Sequence, residues 1–141
     1  MKITIHRGTD QIGGCITEYE HKGWKLFVDY GEQLPGSPKS MPLEIEGLTQ
    51  GDLTKSALLI THYHGDHIGC IGELPKELPL YIGKLGRDIQ LALSEYLSYV
   101  DENQNMIIER LNTSREFSPG QSFSIGPFNV MPVTIDHSAF D

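Results

Sequence analysis

The chain has 141 residues, 38% of them hydrophobic and 21% charged, with a formal net charge of −8. That length and composition describe one ordinary globular domain; the apolar runs are too short to cross a bilayer, and the acidity argues against a protein that grips nucleic acid by broad phosphate neutralisation. It leaves a nucleic-acid substrate open, because bound cations or basic residues supplied elsewhere could bring local positive charge.

The start, Met1-Lys2-Ile3-Thr4-Ile5-His6, lacks a signal-peptide core, so a cytoplasmic location is expected. Lys2 to Arg7 alternates apolar and polar residues as a half-buried strand does. Gly13-Gly14 marks a turn, and Cys15 to Glu20 makes a second strand. His21-Lys22-Gly23 reads as a hairpin turn before a third strand from Trp24 to Tyr30. That strand closes on Asp29, an unusual place for a lone carboxylate, since burial without a partner is costly. Glu32 to Thr54 is rich in Pro, Gly and Ser and reads as a loop, with a short helix expected around Leu43 to Gly47.

Ser56 to Thr61 is an apolar strand that runs into Thr61-His62-Tyr63-His64-Gly65-Asp66-His67. Three of the six histidines stand in that stretch with a carboxylate among them. In extended backbone, side chains two apart point the same way, so His62 and His64 can face one cation. Gly65 permits a bend, after which Asp66 and His67 can turn toward a second position. Neutral imidazole and carboxylate suit zinc, and also manganese or iron, better than calcium or magnesium. Ile68 to Gly72 can begin a helix with Asp66 near its start. Cys70 reads as a small packing residue, and with Cys15 it makes two reduced thiols.

Leu78 to Ile82 is a further strand. Gly86 to Val100 is helical in period; Ile89, Leu93, Tyr96, Leu97 and Val100 share one face, which reads as core. Arg110 to Phe117 and Gln121 to Ile135 read as strands around the Ser118-Pro119-Gly120 and Gly126-Pro127 turns. The last strand delivers His137, repeating the layout of the first histidines.

The pattern His62-x-His64-x-Asp66-His67 after an apolar strand resembles the signature of the metallo-β-lactamase fold superfamily of metallohydrolases. Asp136-His137-Ser138, the early Gly-Gly-Cys turn and Val28-Asp29-Tyr30-Gly31 are similar to the ribonuclease J-like, or β-CASP, branch. The resemblance implies an α/β fold, the four-layered αββα sandwich, of which residues 1–141 supply about the N-terminal half, as a partial domain ending just after the His137 motif. It implies metal ligands at His62, His64, Asp66, His67 and His137, with Asp29 beneath the site orienting ligands. The complete family site holds two zinc ions, with manganese an alternative, and Asp66 positions the attacking water and acts as base. The family's bridging aspartate and final histidine have no counterpart in the four residues after His137. The second ion is therefore short of ligands in this chain.

The resemblance further implies hydrolysis of an RNA phosphodiester. A thioesterase or lactonase of the glyoxalase II type, or a catalytically silent metal-binding module, are the alternatives. An apolar sheet face left open by a half-sandwich invites pairing, and a homodimer is expected to close it.

Overall fold

The structure, a computed structural model, describes residues 1–37, 43–135 and 137. Asp136 and Ser138, which contribute to the ribonuclease J-like resemblance, lie outside them. Six strands form one sheet in chain order: β1 (Lys2–Arg7), β2 (Ile16–His21), β3 (Trp24–Val28), β4 (Ser56–Leu59), β5 (Leu80–Gly83) and β6 (Arg115–Phe117). β1, β2 and β3 are antiparallel neighbours, and β3 through β6 run parallel. The β2–β3 turn needs only Lys22 and Gly23, both at positive φ, as a two-residue hairpin requires. Parallel strands need crossovers, and these carry the helices: α1 (Gly65–Ile68) after β4, then α2 (Lys84–Leu97) and α3 (Gln104–Asn112) between β5 and β6.

β4 is buried along its whole length, and a strand covered on both faces reads as a continuous apolar run. One face of the sheet packs Ile16, Phe27, Leu58, Leu80 and Ile82 against Ile68, Ile71, Ile107 and Leu111 from the helical side. On the other face Leu26, Ala57, Leu59 and Phe117 meet Ile125 from a small hairpin, β7 (Phe123–Ile125) and β8 (Phe128–Val130). The α/β layering anticipated from the sequence is thus present.

Four details differ from the sequence reading. No helix forms at residues 43–47; a turn there is closed by a bridge between Glu46 and Gln50. Residues 110–112 end α3, and only Arg115–Phe117 is strand. The buried Arg110 explains the helix: its guanidinium donates to Lys76 O at 3.0 Å and Leu78 O at 2.8 Å, tying α3 to the segment before β5. The apolar stripe of α2 is not core; Gly86, Gln90 and Ser94 form its buried side, and Ile89, Leu93, Tyr96 and Val100 are exposed. Small residues let the helix seat closely, with Gln90 Nε2 donating to Ser94 Oγ at 3.1 Å. Finally, Ile3 and Ile5 of β1 are exposed, because the β7–β8 hairpin covers only the opposite part of that sheet face.

Candidate metal centre

The site lies beyond the carboxyl ends of β3 and β4, where open α/β sheets hold their ligands. β4 ends at Leu59, and Thr61, His62 and His64 follow in the short connection to α1, where His64, with ψ 142°, is extended just before the helix. His137 comes later in the chain, after β8. One ligand atom each from His62, His64 and His137 lie within 4.8 Å of one another. His62 Nε2 and His137 Nε2 are 3.3 Å apart. Two imidazole nitrogens bound to one tetrahedral zinc at 2.0–2.1 Å would stand about 3.3 Å apart, so this pair fits such an ion. The rings of His62 and His64 meet edge to face with centroids 4.8 Å apart. Burial first, then the neighbouring imidazoles of His67 and His64, push His62 down to about 4, which keeps it neutral and able to ligate.

Asp66 and His67 form a second group beside the first. His67 Nε2 lies 3.6 Å from Asp66 Oδ2, and the His67 ring centroid is 4.0 Å from that of His62. The other nitrogen of His67, Nδ1, is 2.8 Å from Asp29 Oδ2. Asp29 is buried and takes φ +65°, a left-handed conformation that short polar side chains tolerate better than most. That bend turns the carboxylate off the end of β3 toward the motif. Its Oδ1 accepts from Thr61 N at 2.8 Å, and Thr61 Oγ1 donates to the same carboxylate. Thr61 Oγ1 also lies 3.0 Å from His62 Nδ1. One buried carboxylate therefore fixes the strand end and the ring of His67 together. The hydrogen bond to Asp29 raises the pKa of His67, although burial works against it.

Two glycines hold Asp66 in place: Gly13, part of the turn expected at Gly13-Gly14, and Gly31, which closes the Val28-to-Gly31 stretch. A Cβ on Gly31 would lie 2.0 Å from the carbonyl carbon of Asp66, and one on Gly13, at φ +73°, would lie 2.5 Å from its Oδ2. Gly14 N donates to Asp66 O at 2.8 Å. Arg7, which nothing in the sequence singles out, donates to Gly14 O at 2.5 Å and to Gly31 O, so one guanidinium ties both loops. The signal for Gly31 is its place just after the strand-closing Asp29-Tyr30; a close approach of backbone to backbone leaves no other trace in a sequence. His6 and His21 lie elsewhere: His6 pairs with Glu18 at 2.7 Å, and His21 sits by Phe128. Burial raises the Cys70 thiol to about 11, in keeping with a packing role.

A cavity of about 440 Å³ opens beside the imidazoles, lined by Asp29, Thr61, His62, His67 and His137 together with Leu59, Phe117 and residues 130–133. No helix among the described residues is long and apolar enough to cross a membrane.

Known proteins resemble this chain in sequence and in fold. The chain is 28% identical over 151 residues to ribonuclease J of Mycobacterium tuberculosis, a match that covers 100% of this chain and 25% of that protein. It is 29% identical over 89 residues to hydroxyacylglutathione hydrolase of Yersinia enterocolitica, covering 58% of this chain and 32% of that one. A protein of unknown function from Enterococcus faecalis V583 superposes with a TM-score of 0.72 at 21% identity, over 98% of this chain and 39% of that chain, which shows a common fold. The chain thus spans about a quarter to a third of the length of these curated relatives. Residues 34–113, with the whole His62-to-His67 motif inside them, match the family model described as the metallo-beta-lactamase superfamily, and the chain belongs to that superfamily.

Proposed function

We propose that this chain carries the metal-binding half of a hydrolase whose substrate is an RNA phosphodiester. His62, His64 and His137 would hold one cation, zinc or alternatively manganese, through three imidazoles. Asp66 and His67 would supply part of a second site, and Asp29 would fix His67 by its hydrogen bond. The ion, when bound, supplies Lewis-acid charge and brings the pKa of water toward neutrality. Asp66 would orient the attacking water and accept its proton at the carboxylate. Thr61 and Asp29 hold the strand end rigid, so the imidazoles need little reorganisation on loading.

One observation supports RNA over other substrates of the superfamily: the match to ribonuclease J runs the length of the chain, whereas that to the hydroxyacylglutathione hydrolase covers 58% of it. A second reading, a thioesterase or lactonase, draws support from the apolar part of the cavity lining, to which Leu59, Phe117 and Met131 contribute beside the imidazoles. For partners, we propose that the open sheet face around Ile3 and Ile5 is closed by apolar surface, in the simplest case a second copy. The working compartment we propose is the cytoplasm.

The test is turnover by the purified chain on a short RNA, a chromogenic phosphodiester and an acyl thioester, each with and without Zn²⁺ or Mn²⁺. Metal-dependent RNA cleavage that disappears in His64→Ala is the expected result. Thioester cleavage alone would replace the first reading with the second. Tight metal binding without any turnover would make the chain a silent metal-binding module.

A further inference from the structure

Asp66 sits on a helix too short to hold itself. α1 is four residues long, and His64 at its N-cap position makes no capping side-chain bond. A single helical turn is not stable alone, so the place of Asp66 is set by what packs around it. Two loops do this. Gly14 N donates to Asp66 O at 2.8 Å, and the missing Cβ of Gly13 leaves space for the Asp66 carboxylate. Residues 30–32 run beside the same turn: Tyr30 N donates to His67 O and Glu32 N to Gly65 O, both at 2.9 Å, with Gly31 against the Asp66 carbonyl.

Loops built on glycine are soft unless something ties them, and both are tied by Arg7. Arg7 ends β1, where the register against β2 shifts between Ile5 and Arg7; a bulge of this kind re-aims the side chain. Its Nε donates to Gly14 O at 2.5 Å and its Nη2 to Gly31 O. These are the carbonyls that matter. Gly31 O belongs to the same planar peptide group as Glu32 N, so holding one end aims the other at Gly65. Gly14 is likewise held at both ends, by Arg7 at its carbonyl and by Asp66 at its N–H. The guanidinium is a rigid planar fork, so its two donors also set the spacing between the loops; the single nitrogen of a lysine could not.

We propose that Arg7 is a positioning residue for Asp66: by fixing the loops at Gly14 and Gly31 it holds the Asp66 turn in register with the imidazoles. Its effect on turnover rests on the hydrolase reading given above, whereas the clamp itself does not.

The experiment pairs amide hydrogen exchange with kinetics on the full chain. Arg7→Met keeps the bulk of the aliphatic stem and removes the donors. Exchange at Gly14 and Glu32 should become about tenfold faster or more, while Leu58 and Ile60, whose amides donate to Pro79 O and Tyr81 O in the sheet, keep their rates. Metal-dependent kcat on a short RNA should fall roughly 10- to 100-fold with KM unchanged. In an Asp66→Asn background, Arg7→Met should take nothing further from kcat. Arg7→Lys, which can reach one carbonyl at most, should lie between wild type and Arg7→Met, and it carries the test if Arg7→Met fails to fold. Equal acceleration at Leu58 and Ile60 would make Arg7 a general structural residue and overturn the proposal. So would unchanged exchange at Gly14 and Glu32, or loosened loops with an unchanged kcat. A wild-type chain without turnover on any substrate would remove the hydrolase reading and leave the exchange rates to decide the clamp.

Discussion

Asp29 and His67 are joined by a 2.8 Å contact between carboxylate Oδ2 and imidazole Nδ1, which leaves His67 Nε2 facing Asp66 and the ring of His62. The contact exists because Asp29 leaves β3 with φ +65° and so swings its carboxylate back over the strand ends. Asn tolerates the same backbone and can still accept from Thr61, but it carries no charge to hold the imidazole. Asp29→Asn should therefore fold and lose roughly 10- to 100-fold in zinc affinity, the usual effect of removing a group that orients a ligand. Calorimetric zinc titration at neutral pH, beside a thermal melt, checks both halves.

The two neighbouring histidines should give the metal-free chain opposite pH dependences. His67 is raised in the folded state, so the stability it contributes is present below its unfolded pKa and is lost as pH rises through the raised folded value. His62 is lowered to about 4; between that value and 6.5 the unfolded chain binds a proton that the folded chain does not, so stability falls as pH drops through that window. Melting temperatures of chelator-treated chain should peak near the unperturbed histidine range. His67→Gln should flatten the alkaline limb, and His62→Gln the acidic one.

Gly31 is required by a backbone contact. Its Cβ would stand 2.0 Å from the carbonyl carbon of Asp66, and backbone cannot move aside as a flexible side chain can. Gly31→Ala should cost about 2–3 kcal/mol or more and displace Asp66, lowering metal affinity too. Gly23→Ala makes the comparison: that position is at positive φ, but nothing lies within 4 Å of the added carbon, so it should lose stability with zinc affinity unchanged.

Arg110 should behave as a buried staple. Its guanidinium caps Lys76 O and Leu78 O, and removing it leaves two carbonyls without their donor. Arg110→Ala is expected to cost about 3 kcal/mol by denaturant unfolding.

Much of the candidate metal centre is legible in the sequence, because most of its residues are neighbours along the chain. His62, His64, Asp66 and His67 sit on one strand-to-helix turn, so local geometry alone brings them close. His137 is legible for another reason, its repeat of the strand-then-histidine layout some way further on. What stays hidden depends on packing direction. Periodicity reveals that α2 has an apolar side, but not that Gly86, Gln90 and Ser94 turn inward and leave it exposed. β1 alternates as expected, yet the isoleucine face is the open one, since that depends on where the β7–β8 hairpin lands. Residues 110–112 alternate too little to separate helix from strand, and Arg110 finds its partners 32 and 34 positions away. Arg7, Gly13 and Gly31 meet Asp66 or its flanking loops at close range, a relationship that residue types do not encode.

The central claim, that His62, His64 and His137 bind one ion together, is tested most directly by X-ray absorption of the chain loaded with one equivalent of zinc. The account predicts three imidazole nitrogens at about 2.0–2.1 Å, falling to two in His137→Ala with roughly hundredfold weaker binding. A zinc environment with fewer than three imidazoles, or one that His137→Ala leaves unchanged, would contradict it.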